Sequence, residues 1–173
     1  MEQVFAVLVF AVVALGGAWV QVAEHYHMIH HGHMSAGVKR DWTIARGVLL
    51  GLLAVGALLV GMVDTWSALA LFAGSWCAYT FIFRRGLNKS MKWDRHYLGG
   101  SSRYDATCIA VMFFMQTWRI PNVEGIMATH DGAWQHSMVY RTTVRKAEVL
   151  ASVVELSIAA MAVALTLSKA LSK

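Results

Sequence analysis

Proline, cysteine and charge are all scarce in this chain. Pro121 is its single proline, Cys77 and Cys108 are its two cysteines, and charged residues make up 14% of 173 positions. So few helix breakers leave room for long unbroken helices. Both cysteines lie inside apolar stretches, where they read as small buried hydrophobes and not as a disulfide or a thiolate metal site. The thin charge accompanies 57% hydrophobic residues and a mean hydropathy of +0.50, which excludes an ordinary soluble domain. A phosphate-cradling glycine motif is also missing, and Gly99-Gly100-Ser101-Ser102 is a turn signal only. Lysine and arginine are absent before Lys39. That excludes the positive n-region of a cleaved signal peptide, so the first apolar run is expected to be retained.

What is present is a series of membrane-length apolar runs. Val4 to Ala23 holds no charge and gives about 20 residues at ~1.5 Å each, matched to a ~30 Å hydrocarbon core. Further spans are expected at 43–63, at 66–83 after the short Asp64-Thr65 turn, and at 147–167. Residues 106–118 are apolar but only about 13 residues long, ~20 Å as a helix, which predicts a re-entrant or interfacial element if it does not cross. The fold expected is therefore all-α: one polytopic integral-membrane helical bundle over 1–173, with four spanning helices, one short helix and polar loops at 24–42, 84–105 and 119–146. The net charge of +5 resides largely in those loops. Basic loops next to spans set orientation and meet anionic lipid, so they are expected in the cytoplasm with the amino terminus outside. Membrane lipid, and no nucleic acid, is the expected partner. Gly47 and Gly51 form a small-xxx-small pair through which a protein partner or a second copy could approach closely.

One cluster carries recognisable chemistry. Glu24-His25-Tyr26-His27-Met28-Ile29-His30-His31-Gly32-His33 holds five of the eight histidines directly after the first span. If the helix continues, Glu24, His27 and His31 share a face with His30 beside them, while His25 and His33 point elsewhere. Imidazoles with a carboxylate suit iron, zinc, copper or nickel. The candidate metal ligands are Glu24, His27, His30 and His31, with His96, His130 and His136 further along; catalytic residues and the cofactor itself are unassigned beyond iron or another transition metal. Equally, a histidine-rich helix end at an interface needs no ligand.

His27-Met28-Ile29-His30-His31 resembles one H-x-x-H-H box of the integral-membrane fatty acid hydroxylases and desaturases. The resemblance covers five residues. It implies a helical membrane enzyme with cytoplasmic histidines and a di-iron centre. The family pattern has about three such boxes, where this chain offers the isolated His96 and the loose pair His130 and His136.

Glu155 is the other polar feature, about 12 Å into the last span, with Glu148 seven residues earlier on the same face. An intramembrane carboxylate is a functional candidate by default. The alternatives are that it is neutral or paired with Arg46. The reading placed first is a small multi-pass membrane protein acting as a non-catalytic accessory, structural or interaction component. Its alternatives are a histidine-ligated metal-dependent membrane oxidoreductase and a small ion or proton transporter working through Glu155.

Overall fold

The computed structural model describes residues 1–32, 36–94, 97–98, 103–119 and 121–171. Among them the regular structure is entirely helical: α1 (Glu2–His30), α2 (Ala36–Leu59), α3 (Thr65–Ser90), α4 (Arg103–Thr117), α5 (Val123–His136) and α6 (Met138–Leu171). Three of these, α1, α3 and α6, are long and apolar enough to cross a membrane, not four. The stretch expected as a span at 43–63 fails for a local reason. The backbone N–H of Gly61 bonds Leu58 O and that of Met62 bonds Ala57 O, a left-handed helix cap with Gly61 at φ +72°, so α2 ends at Leu59. Its apolar part is the shorter Thr43–Leu59.

The chain forms two compact units. One comprises 1–91 and 155–173, the other 92–154. In the first, α1 and α3 run parallel. Phe10 packs with Leu71, Ala14 and Ala18 with Tyr79, and His25 with Phe83, so residue numbers rise together along both helices. Close approach is possible because small residues lie in the seam. A Cβ on Gly17 would stand 2.9 Å from the Tyr79 ring, and one on Gly86 2.9 Å from Val22. The Tyr79 hydroxyl uses that proximity to donate to Gly17 O at 3.0 Å. α2 runs antiparallel to α3, joined to it by the 60–64 turn, with Gly47 against Trp76 and Arg46 beside Thr80.

α3 and α6 are antiparallel and held at three levels. Lys169 Nζ reaches Asp64 at 2.8 Å, a Cβ on Gly74 would meet Ala162 Cβ at 2.5 Å, and Arg84 pairs with Glu155. The outward faces of the apolar helices carry Leu8, Val12, Trp19 and Val20 on α1 and Leu156, Met161 and Leu165 on α6. Exposed apolar side chains in such density suit hydrocarbon as the solvent.

In the second unit Leu98, Ile109, Ile126, Tyr140 and Val144 form one core. The 106–118 element is α4, 15 residues long. Segment 119–146, expected as a polar loop, instead contains α5 and the first turns of α6. Asn122 caps α5 by accepting from the Glu124 amide at 3.0 Å, just after Pro121 has stopped further helix. The loops expected at 24–42 and 84–105 are likewise shortened, because α1 continues to His30 and α3 to Ser90.

Candidate functional site

The polar centre of the first unit is Arg84 with Glu155. Arg84 Nη1 donates to Oε1 at 3.1 Å and Nη2 to Oε2 at 2.6 Å, a two-pronged pair. Both side chains are almost fully enclosed, at 7% and 3% exposure. Ions are withdrawn from water at high cost, and a fork-to-fork arrangement is the geometry that best offsets it. Arg46, the partner weighed for Glu155 on sequence grounds, does not form this pair. Its guanidinium carbon stands 4.0 Å from the Trp76 ring centroid and 4.8 Å from that of Tyr79. Its Nη1 donates to Thr80 Oγ1 at a long 3.4 Å. Glu148, the other buried carboxylate of α6, belongs to the second unit, where Ser152 Oγ donates to it at 2.7 Å.

The histidine cluster is distributed around α1 because each residue advances a helix by about 100°. His25 turns inward against Phe83, with ring centroids 5.0 Å apart. His27 and His31 face each other at 4.3 Å on the exposed side, and His30 packs on Tyr26 at 4.4 Å. Glu24 is exposed on the same helix end. His33 and His96 lie outside the described residues. In the second unit His130 is buried, its Nδ1 2.9 Å from the Tyr140 hydroxyl and its ring stacked on Trp134, whereas His136 is exposed at the end of α5. Among the described residues no three His, Cys, Asp or Glu side chains converge as a metal site would need.

Asp64 closes the opposite end of the α3 and α6 pair. It caps α3 by accepting from the Ser67 amide at 2.9 Å and takes both hydrogen bonds from Lys169. The Lys169 ammonium foremost, and then the Ser67 amide, hold its carboxyl down to about 2. A positively charged group at this position also answers the C-terminal end of the α6 dipole.

No protein family, curated protein or solved structure compared with the chain matches it. Sequence reasoning passed over Arg84 as a working part of the interior, since it closes an apolar run and has the look of a loop cation. The available signal was the helix-compatible Arg84-Arg85-Gly86-Leu87-Asn88 that follows. It likewise passed over the Trp76, Tyr79 and Thr80 setting of Arg46. Trp76-x-x-Tyr79-Thr80 at helical spacing was legible as one face.

Proposed function

We propose that this protein is a multi-pass membrane scaffold, a non-catalytic accessory or interaction component whose intramembrane ions serve to lock helices. The observation that carries the reading is the two-pronged Arg84–Glu155 pair, with both carboxylate oxygens occupied by one guanidinium. A carboxylate serving as a proton carrier must exchange partners during its cycle, and one so enclosed is suited to holding position. Association with a partner or second copy through α2 uses its Gly51 side. Gly47 is occupied by Trp76, while Gly51 meets nothing within 4 Å.

Helix directions support one topology. Parallel α1 and α3 require a return stroke between them, and α2, antiparallel to α3, supplies it despite its shorter apolar part. α6 then runs opposite to α3, so the chain between Met91 and Glu155 begins and ends on one side. The basic residues Lys39, Arg40, Lys89 and Lys92 favour the cytoplasm for that side, with the amino terminus and the Asp64 turn outside.

A reconstituted full-length chain is expected to leave an imposed pH gradient as stable as in empty vesicles, and to migrate in its own membrane as a complex larger than a monomer. Proton flux abolished by Glu155→Gln contradicts the scaffold reading. One observation favours a second reading, the histidine-ligated metal oxidoreductase: His27 and His31 stand 4.3 Å apart one turn from each other on an open surface. Stoichiometric metal in chelator-washed protein, lost in His31→Ala, would bring that reading forward.

A further inference from the structure

We infer that α4 is a lipid-docking helix, its outward face lying on the acyl chains of the bilayer without crossing them. The inference rests on the proposed topology, in which the chain between Met91 and Glu155 begins and ends on one side of the membrane. At 15 residues α4 is ~22 Å long, short of a ~30 Å hydrocarbon core. It carries no charge from Ala106 to Trp118. One face packs in the core of the second unit, where Ala106, Ile109, Ala110 and Met112 are buried with Leu98, Ile126 and Tyr140.

The other face is just as apolar. At ~100° per residue, Tyr104, Val111, Phe114 and Met115 fall within an arc of ~100°, and all four are exposed. Trp118 extends this stripe, its ring edge-on to Phe114 at 5.6 Å. A helix with two apolar faces is not built for water. Trp118 holds φ +55°, a region that favours glycine, yet its ring is 81% exposed. Water offers such an indole nothing in return for its backbone. At a membrane interface its apolar body and its N–H each find a partner.

Lipid, and not protein, is what this stripe fits. The second unit follows α3 directly after Met91 and runs into Glu155 within the unbroken α6. It is thus joined without a linker to two helices apolar enough to cross a membrane, and it is held at the bilayer surface. A partner helix needs paired small residues to approach closely, as Gly74 gives Ala162 room in the seam of α3 and α6. The stripe has no such pair, since Thr107 is followed one turn later by Val111. Its bulky, uneven side chains suit fluid acyl chains. Arg119, exposed beside Trp118, supplies a cation for the headgroups at this end.

The test uses the full chain with Cys77 and Cys108 replaced by alanine, reconstituted in vesicles of phosphatidylcholine and phosphatidylglycerol. A nitroxide is attached to single cysteines at Tyr104, Val111, Met115 and Trp118, four sites that keep the result readable should one variant fail to fold. Its relaxation is measured with oxygen, which collects in hydrocarbon, and with a nickel chelate, which stays in water. Expected is a larger effect of oxygen than of nickel at Val111→Cys and Met115→Cys, and the reverse at the exposed Lys146→Cys of the same unit. Nickel exceeding oxygen along the stripe puts it in water and overturns the proposal. Protection from both reagents means that a second copy covers it, and overturns the proposal equally. Topology is read apart from this, by impermeant maleimide in intact cells on Lys89→Cys and Glu124→Cys, exposed positions that flank α4. Labelling from one side is expected for both; labelling from opposite sides puts α4 across the membrane and overturns topology and proposal together, whatever the nitroxides report.

Discussion

At the residue scale, the interior of this protein turns on one carboxylate. Glu155→Gln leaves Arg84 enclosed without its counter-charge, and breaking a buried pair from one side costs about 3–5 kcal/mol. The expected result is a large fall in thermal unfolding temperature in detergent, monitored by circular dichroism. The double change Arg84→Met with Glu155→Leu removes both charges and is expected to recover most of the loss. An unfolding temperature for Glu155→Gln equal to that of the natural chain would show that the pair does not hold the helices. Asp64 behaves differently because it is exposed. Its folded value of about 2 lies below the ordinary 3.8, so the stability it contributes is present above pH 3.8 and disappears as pH falls toward 2. Asp64→Asn keeps the helix cap and removes the charge. Acid titration of unfolding temperature is therefore expected to show a steeper decline below pH 3.8 in the natural chain than in Asp64→Asn; parallel curves would remove the ion pair from the account.

At the element scale, the seam between α3 and α6 depends on small residues. A side chain at Gly74 has no room, with Ala162 Cβ at 2.5 Å and Ala159 Cα at 3.4 Å, and both of those are already minimal. Gly74→Val is expected to destabilise by about 1–3 kcal/mol in denaturant titration, as overpacked cores do. Gly16→Ala on the open side of α1 serves as the control, since a Cβ there meets nothing within 4 Å. If both substitutions have equal effects, the seam is not close-packed. Element positions were legible in the sequence wherever apolar length alone decides, as in α1, α3 and α6. They were not legible where an end is set by a cap. Gly61 stops α2 through backbone geometry, and nothing in the apolar run up to Val63 marks that stop except the glycine itself. α5 was hidden because its 14 residues are too few and too polar to register as an apolar run, although Asn122 two residues ahead of Glu124 was a usable start signal. Helix spacing already separated His25 from the face shared by His27 and His31. Helical rotation sends His25 inward and leaves His27 with His31 as its close exposed pair.

At the scale of the whole molecule, the proposed topology sends α1 and α3 one way and α6 back, with α2 as the shorter return stroke between the first two. Residues near the ends of these helices then divide into two sets. Thr65 and Ser168 are exposed on the side of the Asp64–Lys169 clamp, and His30 and Lys89 are exposed at the opposite ends. The direct measurement is labelling of single cysteines at these four positions with a membrane-impermeant maleimide, in a chain whose Cys77 and Cys108 have been replaced, on intact cells and again after permeabilisation. Thr65→Cys and Ser168→Cys are predicted to label from outside in intact cells, and His30→Cys and Lys89→Cys only after permeabilisation. Labelling of Ser168→Cys together with Lys89→Cys from one side, or of Thr65→Cys together with His30→Cys, would contradict the topology and the scaffold built on it.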